Sequence, residues 1–110
     1  MANAFRVKYT CIDGLNDEEI SRVYHECFSF IESMNCSVYG GPLFLVHAID
    51  ENDDVSEANR QNMIDYLEHH KLIKEYQVSD IVDWEEARGE VDRIIIEAVI
   101  HDISSDEQAN

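Results

Sequence analysis

The chain of 110 residues has room for one domain and one modest core. At 45% hydrophobic and with a single proline it is not compositionally disordered, and no apolar run approaches the roughly 20 residues of a membrane span. The formal charge of −16, from 24 acids against 8 Lys+Arg, repels phosphate, so direct binding to nucleic acid or to anionic lipid is disfavoured and a basic protein partner is favoured.

"MANAF" lacks the basic start and long apolar stretch of a signal peptide, which points to a cytoplasmic protein. "AFRVKYTC" then alternates, with Phe5, Val7, Tyr9 and Cys11 on one side and Arg6, Lys8 and Thr10 on the other, as a half-buried strand does. "GLNDEEISRVYHECFSFIESMN" predicts a helix. Asn16 caps it, Glu19 completes a capping box, and Asp17, Glu18 and Glu19 suit the positive end of the dipole. Ile20, Val23, Tyr24, Cys27, Phe28, Ile31 and Met34 form its apolar stripe.

"CSVY" and "LFLVHAI" read as two strands joined by "GGP". In the second, Leu43, Leu45, His47 and Ile49 share one face while Phe44, Val46 and Ala48 share the other. A strand apolar on both faces needs cover on both. "DENDD" is a solvated acidic loop, and "SEANRQNMIDYLEHHK" a second helix capped by Ser56 with Met63, Ile64 and Leu67 inward. "LIKEYQVSDIVDW" leads into a further strand that carries Tyr76, Val78 and Ile81 inward.

The tail "EVDRIIIEAVIHDIS" is dense in β-branched residues, which favours strand over helix. Residues 91–103 are therefore expected as an extra C-terminal strand, with Ile94, Ile96, Ala98 and Ile100 on one face. It would extend the sheet at an edge or pair with its own copy in a homodimer. The resulting order, β-α-β-β-α-β plus one element, predicts an α+β protein of the ferredoxin-like (split βαβ) type: an antiparallel sheet with two helices on one face. The expected core is Phe5, Val7, Tyr9, Val23, Cys27, Phe28, Ile31, Leu67 and Val78 with one face of strand 43–49. The chain reads as a single domain, 1–110, in which 89–110 is a C-terminal extension.

A search for chemistry is unproductive. A phosphate loop follows a strand and opens a helix, whereas Gly40-Gly41 lies between two strand patterns and is followed by no lysine, so it reads as a turn. His69 and His70 diverge on a helix, and His25, His47 and His101 lie on separate elements. Cys11, Cys27 and Cys36 show neither CxxC nor Cys-His spacing, and read as buried reduced thiols. Acidic pairs such as Asp53-Asp54, Glu85-Glu86 and Asp106-Glu107 are expected in so acidic a chain. No catalytic, cofactor-binding or metal-binding residue is assigned, and the chain reads as non-enzymatic. The candidate partner-binding residues are Asp50, Glu51, Asp53, Asp54, Asp80, Asp83, Glu85 and Glu86.

Several segments together resemble the YggL family of small bacterial proteins: "FRVKY", "GLNDEEI", "NCSVYGGPLFLVHAI" and "VSEANRQNMIDYLEHHKLIKEYQVSDIVDW", covering Phe5 to Trp84. No single motif is diagnostic; the order and spacing of many carry the resemblance. It implies a non-catalytic protein that binds the large, 50S ribosomal subunit. The Lys/Arg-rich start typical of that family is absent from "MANAF", and the chain continues past Trp84, near which family members end. Two functional expectations follow. One is a ribosome-associated accessory protein whose acid meets basic ribosomal proteins. The other is an acidic inhibitor or immunity protein that neutralises a basic partner, such as a nuclease toxin, by nucleic-acid mimicry.

Overall fold

The computed structural model describes residues 3–41, 43–50 and 53–94. Within them the order is β1 (Asn3–Cys11), α1 (Asp17–Ser33), β2 (Cys36–Gly40), β3 (Leu43–Ala48), α2 (Glu57–His69), β4 (Ile73–Val78) and β5 (Val82–Asp83), followed by a third helix, α3, over 84–94. The five strands make one open antiparallel sheet in the order β2-β3-β1-β4, with β5 pairing the start of β1. The protein is thus of the α+β class.

Local chemistry explains where the helices begin. At α1 the Glu19 N–H donates to Asn16 Oδ1 at 2.8 Å and the Asn16 N–H donates to Glu19 Oε1 at 3.3 Å, the reciprocal capping box read from the sequence. Ser56 does the same for α2, with Asn59 as the return acceptor. Asn35 ends the α1 segment in the left-handed region at φ 61°, a conformation asparagine tolerates, and its N–H donates to Glu32 O. Gly40 sits at φ +115°, and a Cβ there would lie 2.8 Å from the Leu43 carbonyl oxygen, so only glycine fits the hairpin exit. The glycine pair lies at the β2–β3 connection as expected, with Gly40 closing β2 opposite Phe44 and Gly41 beyond the strand.

Side chains on β3 divide the molecule. Phe44 and Val46 join Phe5 and Val7 of β1, Val23, Cys27 and Ile31 of α1, and Met63 and Leu67 of α2 in one buried cluster. Leu45 points to the other side of the pleat. There it meets Ala4, Trp84, Ala87 and Val91, so α3 covers the sheet face that α1 and α2 leave open. Six of the nine residues expected in the core are fully buried in the first cluster: Phe5, Val7, Val23, Cys27, Ile31 and Leu67. Tyr9 and Val78 pack against it while partly exposed. Phe28 is half-buried, its ring 4.2 Å from Tyr24 and 6.4 Å from Phe44. Ile20, at the edge of the α1 stripe, and Ile49, one residue past β3, are exposed.

The expected strand at 91–103 is corrected where the structure describes it: residues 91–94 are helical, and 95–103 lie outside the described residues. The boundary expected at 89 falls inside this helix. Asp83 accepts from the Glu86 N–H at 3.3 Å, Glu85 and Glu86 occupy the first turn, and Trp84, Ala87 and Val91 recur at helical spacing. Burial of that stripe on Leu45 outweighs the weak β preference of Val91 and Ile94. Polar contacts fasten α3 as well. Glu90 Oε1 lies 2.6 Å from Arg6 Nη1, and the Tyr39 hydroxyl donates to Asp92 Oδ1 at 2.6 Å. The Arg88 guanidinium lies 5.5 Å from the Tyr39 ring centroid.

The two phenylalanines are therefore expected to differ. Phe44→Ala empties a fully buried site between three elements and should cost about 3–5 kcal/mol. Phe28→Ala should cost clearly less, because water already reaches that ring. Urea denaturation of the two variants measures the order, and a larger loss for Phe28→Ala would contradict the packing described.

Candidate acidic docking surface

The acidic candidates fall on two stretches of chain, and Asn3 brings those stretches together. Its side chain makes both hydrogen bonds of a backbone partner. The Val55 N–H donates to Asn3 Oδ1 at 2.8 Å, and Asn3 Nδ2 donates to the Val55 carbonyl at 3.4 Å. On β1 the same residue faces Asp83 of β5. The end of the 50–55 loop and the start of α3 are thus anchored to one residue at one end of the sheet. Val55 is buried there, so the chain just after Asp53-Asp54 is tied down rather than merely solvated.

Within this frame the eight candidates play different parts. Asp53, Asp54, Glu85 and Glu86 are exposed, two on the loop and two on the first turn of α3. Asp50 is exposed, and its carbonyl accepts from the Asp53 N–H at 3.0 Å. Asp83 is the N-cap of α3 and holds the helix start. Asp80 lies 3.7 Å from Arg60 Nη2. Glu51 lies outside the described residues.

Arg60 is a second organising residue. From α2 its Nε donates to the Ser79 carbonyl at 2.7 Å and its Nη1 to Glu57 Oε1 at 2.8 Å. It therefore ties the α2 start to the β4–β5 connection beside Asp80. Neither Asn3 nor Arg60 was singled out from the sequence. Asn3 bonds a residue 52 positions away and Arg60 one 19 away, so no periodicity announces them.

His70 joins two helices. The Leu72 N–H donates to His70 Nδ1 at 3.2 Å, which leaves Nε2 to face Glu26 Oε2 at 2.9 Å and joins the end of α2 to α1. The His47 ring lies 5.0 Å from Trp84. Among the described residues no group of three or more His, Cys, Asp or Glu side chains could hold a metal ion. Burial pushes the Cys27 thiol up to about 12, and burial also raises Cys11 and Cys36, so these thiols are protonated at neutral pH and poor nucleophiles. Burial, with the neighbouring Cys27, pushes the Tyr66 phenol to about 12. Among the described residues no helix is long and apolar enough to cross a membrane. Comparison with protein-family models, curated proteins and solved structures finds no match.

Two measurements follow. Asn3→Ala removes both bonds to Val55 and strands a buried N–H. It should cost about 1–3 kcal/mol and speed hydrogen exchange at Val55; unchanged exchange there would mean that the loop is held by something else. Alkali should destabilise the fold. Cys27 and Tyr66 have folded-state values raised above their ordinary 9.0 and 10.0. Their protonated forms are favoured by folding, so their stabilisation is complete below about pH 9 and is lost as pH rises toward 12. Cys27→Ala should flatten that decline, as read by denaturant midpoints across the alkaline range.

Proposed function

We propose that this chain is a non-catalytic accessory protein of the ribosome-associated, YggL-like kind, which docks by offering acid to a basic protein. The observation that carries the reading is the assembly of Asp53, Asp54, Glu85 and Glu86 about the Asn3 bridge, in a chain of net charge −16. Carboxylates on two segments held to the same residue act as one field. They steer a cationic partner and lose little freedom when it arrives. Polyanionic RNA is repelled by the same field, so the contact on a ribosome is a basic ribosomal protein.

The architecture suits the proposal. The order β2-β3-β1-β4, with α1 and α2 sharing one cluster, supports a ferredoxin-like, split βαβ arrangement to which α3 and β5 are additions. A cytoplasmic location goes with this function. The alternative is an acidic inhibitor or immunity protein that blocks a basic enzyme such as a nuclease toxin. It is favoured by the capped, fastened start of α3, since a mimic of nucleic acid must hold its charges in place before it binds.

Co-sedimentation with purified large ribosomal subunits tests the first reading. The chain should travel with the subunit at low salt and leave it as the Debye length shrinks to about 8 Å near physiological ionic strength. The variant Asp53→Asn, Asp54→Asn, Glu85→Gln, Glu86→Gln should associate roughly tenfold more slowly while remaining folded. A chain that stays at the top of the gradient at low salt overturns the ribosomal reading. Inhibition of a purified basic nuclease by the parent chain, lost in the variant, would establish the alternative.

A further inference from the structure

Besides the two-residue β5, the sheet has two outer strands, β2 and β4, and they are protected differently. β4 carries Lys74 and Glu75, both exposed, which is a common way to discourage another chain from pairing. β2, "CSVYG", carries no charge and no proline, although 29% of the whole chain is charged.

The phase of the β2–β3 ladder shows what this edge presents. Cys36 faces Ala48, Val38 faces Val46 and Gly40 faces Phe44. Just before the first of these pairs, the Ile49 N–H donates to the Asn35 carbonyl at 3.2 Å. Hydrogen-bonded and non-hydrogen-bonded pairs alternate along an antiparallel ladder. Asn35 and Ile49 are a bonded pair, so Ser37 and Tyr39 also bond inward to β3. The N–H and C=O groups of Cys36, Val38 and Gly40 therefore point away from β3; Cys36 is buried, so the open part of this edge is Val38 and Gly40. No hydrogen bond among the described residues takes them up.

Beside this edge lies a shallow groove of about 200 Å³ between α1 and β2, lined by Phe28, Ile31, Glu32, Ser37 and Val38. Its walls are apolar except for Ser37 and the exposed carboxylate of Glu32. An added strand would place every second side chain against this groove, where an aliphatic stem meets Phe28 and Val38 and a cationic end meets Glu32.

We propose that the free edge of β2 is a docking site for an extended basic segment of a partner protein, which pairs with Val38 and Gly40 and extends the sheet by one strand. The main chain supplies the bonds, and the groove and Glu32 select the side chains. A second copy of this chain is the less favourable occupant, because it brings a charge of −16 against −16. The site is separate from the acidic surface about Asn3 and does not depend on the ribosomal reading.

Hydrogen exchange by NMR tests the proposal, with a short synthetic peptide of alternating lysine and valine as the probe. In the free protein the amides of Val38 and Gly40 should exchange fast and those of Ser37 and Tyr39 slowly. With the peptide, the first two should slow by about tenfold or more, tenfold being 1.4 kcal/mol of protection. Peptides N-methylated at alternate residues, one for each phase, separate pairing from charge. The peptide methylated on its pairing amides should fail to protect these positions, although its charge is the same. Glu32→Lys should weaken the lysine peptide and spare a threonine–valine one. Val38→Pro should remove protection while keeping the β2–β3 pairs; if that variant does not fold, the methylated peptides on the parent chain decide. Binding without protection at 38 and 40, or equal binding of both methylated forms, overturns the proposal. So does protection of these amides in the free chain, which at high concentration alone would mean self-pairing. The four-site amide variant of the acidic surface should keep the protection, so failure of one reading is distinguishable from failure of the other.

Discussion

β3 is the constraint on which the rest of this structure depends. It is a short strand with large apolar side chains on both faces: Phe44 and Val46 on one, Leu45 on the other, all with no exposed surface. Fully burying each of them is worth about 1.5–3 kcal/mol, and neither face can be left wet without losing its share. A sheet layered on one side only would satisfy half of that demand. The central position of β3, between β2 and β1, takes care of its backbone, and two separate helical layers take care of its side chains.

The second layer decides where the candidate surface lies. α3 begins at Trp84, immediately after β5 has returned the chain to the start of β1, and covers Leu45 from there. The Asp83 cap, and the acidic first turn that favours a helix start, are thereby placed beside Asn3, which also holds the 50–55 loop. The acidic surface is a by-product of how the helix must start in order to bury its stripe. Glu85 and Glu86 serve the helix dipole and face solvent at once, so one pair of residues answers a folding need and supplies the outward field.

Elements with strong local signals were legible in the sequence. The Asn16–Glu19 capping box, the alternation of β1 and the two-faced pattern of β3 each state their structure within a few residues, and each was found in place. α3 was misread because Val91, Ile94 and the isoleucines after it dominate a propensity reading. The decisive pattern, Trp84, Ala87 and Val91 behind an Asp83 cap, straddles the boundary drawn at 89. The acidic residues could be named from charge alone, but not sorted. Only the folded chain shows that Asp83 is a cap and that Asp80 lies beside Arg60, because those partners are set by sheet register and by packing. The Asn3 bridge had no local trace for the same reason.

The few cations show how a chain of −16 keeps its acid available. Arg6 pairs with Glu90 across the α3 interface, and Arg88 with Asp92 while lying on Tyr39. Arg22 faces Glu18 within α1, and Arg60 joins Glu57 and Asp80. Exposed pairs of this kind contribute only about 0–1 kcal/mol each, so they are a poor source of stability. Their larger consequence is electrostatic. Arginine is placed where it fastens one element to another or lies along a helix, and at none of these pairs does it meet Asp53, Asp54, Glu85 or Glu86. Arginine is drawn to the joints, while Asp53, Asp54 and Glu86 at the Asn3 end enter no salt bridge among the described residues and Glu85 lies within the field of Arg88. β2, by contrast, carries no charge at all. A basic partner would thus meet long-range attraction at the end of the sheet and a bare hydrogen-bonding edge at its side.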